Sequence, residues 1–174
     1  MECNSIVLAN IAKDCNPNSG GIRKVYLAIW EQNIFTTSAA TDGTKVTGVK
    51  SGTTWYEYNF RKNTGSYNST QTVSDTGNNY FTNTLTMVFS RMETKKRTAV
   101  QALSVGEVAG IIEDCNGKFW AFGQNEAAVS AGNSADTGTQ KSDTNAYTVV
   151  LNDESLEYPY EVESTVVDGL TLGD

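Results

Sequence analysis

Two pairs of adjacent carboxylates, Glu113-Asp114 and Asp153-Glu154, are the residues of this chain best suited to acid–base or metal chemistry. Paired carboxylates can hydrolyse glycosidic bonds or bind Mg²⁺ or Ca²⁺. The first pair directly precedes Asn116-Gly117, a dipeptide typical of a tight hairpin turn, so an exposed hairpin end accounts for it. The second pair follows a predicted strand, and the spacing of the aspartates matches no calcium loop. We therefore expect no catalytic residue, no metal site and no cofactor.

Composition argues against most other enzyme classes and against nucleic-acid-binding proteins. The 174 residues contain no histidine, which excludes Ser-His-Asp and Cys-His nucleophiles and histidine metal sites. Neither the GxGxxG motif nor the P-loop motif for phosphate binding occurs. The net charge of −7 is opposite to the basic stripe that a nucleic-acid-binding protein needs. The one basic cluster, Lys95-Lys96-Arg97, is more typical of a solvated helix face or an intersubunit ion pair.

The cysteines and the first residues bear on where the protein is made. Cys3, Cys15 and Cys115 are odd in number, and no basic run precedes an apolar stretch at the start of the sequence. We interpret them as reduced thiols in a protein made in a cytoplasm, with a Cys3–Cys15 bridge as the alternative. No run approaches about 18 consecutive apolar residues, so we expect no membrane span.

Strands must position any functional site of this chain. Alternation of apolar and polar residues predicts three long strands, at 22–30, 53–62 and 80–91. In the strand at 53–62 we expect one face to be buried, with Thr54, Tyr56, Tyr58 and Phe60. We expect the opposite face to be outward, with Trp55, Glu57, Asn59 and Arg61.

Turn and helix signals place the remaining elements. Asn116-Gly117 predicts a hairpin between strands at 108–115 and 118–123. Shorter strands are predicted at 45–49 and 147–151, whereas the small and polar stretch 36–44 is predicted to be a loop. Thr94 as N-cap, helical apolar spacing and Gly106 as a stop predict one helix over about 94–105.

Three segments carry few apolar side chains with which to pack. These are a polar arm at 63–79, a loop at 125–144 and an acidic C-terminal tail at 161–174, in which Val162, Val166 and Val167 can add one edge strand. Ordering such a backbone costs about 1–2 kcal/mol per residue, so contact with identical neighbours is expected to order them. The sequence predicts a single domain over 1–174, mainly β, forming a β-sandwich or open barrel with one flanking helix and long extended arms.

Aromatic residues are concentrated in two predicted strands and admit two interpretations. They can form a platform for a sugar or the core of a sandwich, because alternation buries half of them in any case. Trp55 and Trp120 lie opposite most of their apolar neighbours, so one of them is a candidate exposed anchor for another subunit.

The order of segments resembles that of phage and prophage tail tube (major tail) proteins, of the kind found in phages of Bacteroides-type hosts. The similar stretches are CNSIVLANIAKDCNPNSGGIRKVYLA at the start, YFTNTLTMVFSRMETKKRTAVQAL in the middle, and GIIEDCNGKFWAFGQNEAAVSAG and DTNAYTVVLNDESLEYPYEV towards the end. The resemblance implies a β-sandwich with one flanking helix that forms hexameric rings. It further implies that the rings stack into the tube through which DNA leaves the capsid.

The resemblance also assigns roles to segments and residues. It implies that the strands at 53–62 and 80–91 line or brace the ring and that the polar arm bridges to the next ring. The candidate inter-subunit contacts are Gly65, Tyr67, Thr70, Thr72, Lys95, Lys96 and Arg97. An acidic lumen repels DNA and lets it slide. The candidates to face it are Glu57, which we favour, and Asp75, Glu113 and Asp114.

The expected partners are copies of this chain, together with a tape measure protein, a sheath or other tail proteins. DNA is expected to pass without specific binding, in a virion assembled in the cytoplasm of a bacterial host. Three alternatives stay open at this point: another virion component such as a head–tail connector, tail terminator or capsid decoration protein; a carbohydrate-binding β-sandwich using Trp55 or Trp120; and an enzyme with paired carboxylates.

Overall fold

The computed structural model describes residues 8–174, so Cys3 lies outside the described residues. Residues 8–174 are mainly β and contain two helices. In chain order, the elements are β1 (Ile22–Ile29), β2 (Phe35–Ala40), β3 (Gly43–Val49), β4 (Tyr56–Asn59), β5 (Gly65–Val73), β6 (Asn79–Ser90), α1 (Thr94–Val105), β7 (Val108–Asp114), β8 (Phe119–Phe122), β9 (Val129–Ser130), β10 (Ser134–Asp136), β11 (Ala146–Ser155), β12 (Glu161–Val162) and α2 (Ser164–Asp168).

Seven strands form the larger sheet, in the order β2-β3-β12-β8-β7-β1-β4. The short strand β12 pairs parallel to β3 on one side and antiparallel to β8 on the other. Phe35 in β2 and Trp55 just before β4 belong to opposite ends of this sheet, yet their ring centroids are 6.1 Å apart. The sheet therefore curls until its two ends approach, without closing into a barrel.

The smaller sheet has the order β10-β11-β6-β5, and β9 also pairs with β11. Strands β6 and β11 are paired over ten residue positions, from Ser90 opposite Ala146 to Phe81 opposite Ser155. Strand β5 lies on the other side of β6 and pairs with it from Gly65 to Val73. The sheet is thus a long antiparallel hairpin with β11 added alongside.

Two hydrophobic cores lie on the two faces of the larger sheet. The first core fills the space between the sheets and includes side chains of α1; its main members are Val25, Leu27, Ile112, Phe122, Leu85, Met87, Val149, Leu151, Val100 and Leu103. The second core lies on the opposite face; its main members are Tyr26, Ala28, Val46, Trp55, Ile111, Val162 and Val166. The arrangement is sandwich-like, as the sequence predicts.

Several predicted elements are confirmed. The helix spans Thr94–Val105 as expected and ends at Gly106, although its N-cap is Glu93 rather than Thr94. The Asn116-Gly117 hairpin joins β7 and β8, with Gly117 at a φ of 81°. No helix within residues 8–174 is long and apolar enough to cross a membrane.

Other predictions are wrong. The stretch 36–44 is not a loop but most of the antiparallel β2–β3 hairpin. The strand expected over 53–62 is regular only from Tyr56 to Asn59, and Trp55 is fully buried in the second core instead of facing outward. In the C-terminal tail, Val162 belongs to a strand inside the larger sheet rather than at its edge, and Val166 belongs to α2.

Candidate functional site

The outward face of the smaller sheet carries mostly hydroxyl and amide groups, with some valines and two acidic side chains, Asp136 and Glu154. Leu85, Met87 and Leu151 point into the first core. Because successive strand residues point to opposite faces, the residues next to them along β6 and β11, and those paired beside these on β5, face outward. These positions include Ser66, Asn68, Thr70, Thr72, Tyr80, Thr82, Thr84, Thr86, Val88, Ser90, Thr148, Val150, Asn152 and Glu154, and β10 adds Ser134 and Asp136. Cross-strand register places Ser66, Thr86 and Val150 in one row across three strands. The face is therefore a nearly uncharged polar surface.

Both sheets end in strands that have one hydrogen-bonding edge without a strand partner in the described chain. These are β5 and β10 in the smaller sheet and β2 and β4 in the larger. Such an edge presents unpaired N–H and C=O groups and is a template for pairing with another chain. Strand β5 is the longest of the four, with nine residues.

The polar arm at 63–79, expected to lack anchors of its own, is an integral part of the smaller sheet. The Tyr67 ring packs edge-on against Phe122, with centroids 5.8 Å apart, and its hydroxyl donates to the carbonyl of Ala121 at 3.4 Å. Burial raises the pKa of the Tyr67 hydroxyl. A Cβ on Gly65 would lie 2.4 Å from the Phe60 ring, so the strand needs glycine for this close approach. The arm is therefore anchored by the protein itself.

The candidate inter-subunit residues divide into different environments. Gly65 and Tyr67 point into the fold, whereas Thr70 and Thr72 belong to the outward polar face. In the basic cluster, the Lys96 ammonium donates to the Ser90 carbonyl at 2.8 Å and pairs with Glu93 at 3.2 Å. The other two members, Lys95 and Arg97, are exposed and stay available to a partner.

The four lumen candidates do not form one cluster, although Glu57 and Glu113 lie on the same face of the larger sheet, on either side of Lys24. Glu57 and Glu113 lie on the larger sheet, each with a basic neighbour at 3.5 Å, Lys24 and Arg23 respectively. The amide of Asn59 donates to Glu57 at 2.6 Å, and this bond together with Lys24 lowers the pKa of Glu57. Such partly exposed pairs contribute little to stability.

Asp114 ends β7 beside its hairpin turn, and Asp75 lies in the turn between β5 and β6. One Asp114 oxygen accepts the N–H groups of Asn116 and Lys118 at 2.9 Å, and the other accepts the indole N–H of Trp120 at 2.9 Å. Both carboxylate oxygens of Asp114 are thus used within the hairpin, as expected for an acid at a turn. Asp75 lies between β5 and β6, at the tip of the smaller sheet.

An apolar groove of about 760 Å³ runs between helix α1 and the open edge of β4. Its walls are mainly Leu27, Ile29, Tyr56, Tyr58, Ala99, Ala102, Leu103 and Val108. Ile29 is 73% exposed and Tyr56 44% exposed, so apolar surface lies open to water. Lys95 and Glu107 supply one charge of each sign beside the two ends of α1. The groove is therefore a candidate interaction site.

A second cleft, of about 560 Å³, is lined by aromatic and acidic side chains, including Trp120, Tyr158 and Tyr160. Its polar groups pair with one another: the Tyr160 hydroxyl donates to Glu157 at 2.5 Å, and Glu161 binds Lys45 and Lys118. The carbohydrate interpretation gains little from this cleft, because a sugar needs polar groups free to bond its hydroxyls. Trp55, the other candidate sugar platform, is buried.

Asp153 is buried within the fold, with 3% of its surface exposed. One of its oxygens accepts the N–H of Gly123 at 2.8 Å, and the other has no partner. Burial raises the pKa of Asp153 to about 6. The Asp153-Glu154 pair is therefore not a pair of exposed carboxylates, since adjacent strand residues point to opposite faces.

Within residues 8–174, no group of three His, Cys, Asp or Glu side chains is placed to hold a metal ion. Cys15 and Cys115 are free thiols. No family model, curated protein or solved structure matches this chain. The function must therefore be argued from the surfaces described above.

Sequence reasoning missed the polar face and the groove as sites. The face had a readable signal, because Thr82, Thr84 and Thr86 alternate with Leu85 and Met87 in the predicted strand. The groove had none, since it joins β4 to a helix that follows more than thirty residues later in the chain.

Proposed function

We propose that this chain is the structural subunit of a phage tail tube and assembles with identical copies into stacked rings through which DNA passes. One observation carries the proposal: the smaller sheet is open at both edges and presents a nearly uncharged polar face. Edge pairing of β5 in one copy with β10 in the next continues this sheet around a ring. The sequence resemblance to tail tube proteins and the sandwich with its flanking helix support the same role.

A wall of this kind suits DNA passage for an electrostatic reason. Hydroxyl and amide side chains provide no cation to bind phosphates, so DNA is not retained. The two acidic side chains on the face, Asp136 and Glu154, and the net charge of −7 all repel DNA. This proposal moves the lumen from Glu57, where the sequence placed it, to the face that contains Thr84.

The direct test is negative-stain imaging of the purified chain over a range of concentrations. We expect rings or tubes with a central channel. Single rings that never stack would favour a connector or terminator. A protein that remains monomeric at high concentration, both alone and with other tail proteins, would refute a tube role.

A pair of charge substitutions tests which face lines the channel. Thr84→Lys places a cation in the middle of the proposed wall, whereas Glu57→Lys places one on the larger sheet. We expect both variants to form tubes, and only Thr84→Lys tubes to retain DNA at low salt and release it as ionic strength rises. Thr84→Ser is the matched control that keeps the hydroxyl. Retention by Glu57→Lys tubes alone would return the lumen to the face of the larger sheet.

A further inference from the structure

The N-terminal segment Leu8–Gly20 stands away from the rest of the protein. Each of its residues is exposed, and Leu8 and Ile11 keep 92% and 97% of their surfaces accessible. Two large aliphatic side chains are thus presented to water on a segment that buries neither of them. The same protein carries an apolar groove between α1 and β4 with no side chain of the described chain filling it.

We infer that the N-terminal segment of one copy binds in the α1–β4 groove of a second copy. This inference deepens the proposed function, because it names the surfaces by which neighbouring subunits hold one another. Leu8 and Ile11 are three residues apart, so a helical turn or a polyproline-type extended conformation places both on one side. That side can face the apolar walls formed by Tyr56 and Ala102.

Because the segment lies outside its own groove and leaves Leu8 and Ile11 exposed, a second copy is favoured over the same chain as the partner. The segment is held at its root by the Asn116 turn: the Asn116 side chain accepts the Ser19 N–H at 2.8 Å and donates to the Asn18 side chain at 2.9 Å. The root therefore lies at the start of β1, whereas the groove contacts Leu27 and Ile29 at its end. Eight residues of strand separate the two by about 26 Å.

This separation makes the contact head-to-tail. About 13 residues reach at most about 45 Å, enough to bridge from one molecule to its neighbour. A surface that binds a different surface of an identical copy generates closed rings or open filaments, not only dimers. A stacked tube consists of closed rings that join into a filament, so head-to-tail contacts of this kind suit it.

Charged residues of the segment can pair with charged residues at the ends of the groove, whichever direction the segment runs. Lys13 and Asp14 follow the apolar part of the segment. The groove has Lys95 beside the start of α1 and Glu107 just beyond its end. Whichever way the segment runs, one of its charges meets an opposite charge at the end of the groove.

Cysteine cross-linking tests the inference in a background with the three native cysteines replaced by serine. Ile11→Cys and Ala102→Cys are made in separate proteins, which are mixed and oxidised. We expect a disulfide-linked dimer from this mixture and at least tenfold less from a control mixture with Gln101→Cys, which lies on α1 outside the groove. Equal cross-linking at the two helix positions would overturn the inference. The inference would also be overturned if a single chain that carries both Ile11→Cys and Ala102→Cys forms an internal disulfide while the mixture of single variants forms none.

A second pair of variants separates this inference from the proposed function. Leu8→Asp combined with Ile11→Asp changes only exposed positions, so the domain is expected to fold as before while assembly is lost; Leu8→Met with Ile11→Val is the apolar control. Tubes that persist in the aspartate variant would refute the segment's role and leave the tube proposal standing. Specific cross-links in a wild-type protein that never forms rings or tubes would refute the tube and leave the segment contact standing.

Discussion

Replacing the buried Asp153 with asparagine is expected to change how stability depends on pH. Burial raises the pKa of Asp153 to about 6 from its ordinary value of 3.8, so the folded state holds a proton more tightly than the unfolded state. Ionisation therefore costs stability as pH rises from about 4 to 6. Raising the pKa of Asp153 from 3.8 to about 6 costs the folded state about 3 kcal/mol once the group is ionised. About 2–3 kcal/mol of this stability is lost between pH 4 and pH 7.

Asparagine removes this penalty while keeping an oxygen for the Gly123 N–H. Its added amide can donate to the Asn83 side-chain oxygen, which is buried without a partner. Asn83 lies directly opposite position 153 across β6 and β11. The stability of Asp153→Asn relative to the wild type is therefore expected to be about 2–3 kcal/mol greater at pH 7 than at pH 4. At pH 7 that corresponds to about 5–10 °C in melting temperature for a domain of this size.

Urea unfolding of both proteins at pH 4, 5, 6 and 7 measures the effect. The groups that face Asp153 must be considered in the fit: Tyr67 on β5 is neutral throughout this range, and Glu126 adds a negative charge that also raises the pKa of Asp153. Asp42→Asn, at an exposed turn, is the matched control and should show no such divergence. A stability difference between Asp153→Asn and wild type that stays constant from pH 4 to 7 refutes the reasoning.

Three further outcomes can be measured on the same protein. Tyr67→Ala should lower the free energy of unfolding by about 3 kcal/mol, because it empties the contact with the first core, while Tyr67→Phe should cost under about 1 kcal/mol; equal losses would contradict this packing. Gly117→Ala should cost about 1–2 kcal/mol in urea unfolding because its φ is 81°, whereas Gly20→Ala, at an open position with ordinary φ, should be nearly neutral. Since Cys15 and Cys115 are free, a reductant should leave the melting temperature unchanged, and a fall would indicate a bridge.

Local signals in the sequence were sufficient wherever the structure depends on nearby residues. Asn116-Gly117 specifies the β7–β8 hairpin because the turn needs a positive φ at glycine, and Gly106 marks the end of α1. The alternation in β6 separates the core side chains from the polar face. The same alternation, continued from Val149 and Leu151 to position 153, assigns Asp153 to the buried face. That signal was missed because the strand was predicted to end at Leu151.

Features formed by distant segments could not be predicted. Trp55 is buried because the chain near Leu172 pairs beside it, with the backbone N–H of Trp55 donating to the Thr171 carbonyl at 2.8 Å. Alternation within 53–62 has no information about that neighbour. The polar composition of the arm predicts that it needs another molecule to be ordered. In the structure, pairing with β6 and the packing of the Tyr67 ring against Phe122 are sufficient, and the composition does not show either contact. The candidate assembly surfaces join residues from separate elements in the same way.

The placement of β12 has a consequence for how the protein reaches this fold. Glu161 pairs on one side with Lys45, which lies more than half of the chain away, and on the other side with Trp120, so pairing between distant residues holds the larger sheet together. Until β12 inserts, the β2–β3 hairpin is detached from the four strands β8-β7-β1-β4, and each part has an additional open edge. Non-local pairing of this kind slows folding and exposes edges that promote aggregation. In the assembly proposed above, a subunit must therefore complete this internal pairing before its strand edges meet those of another copy.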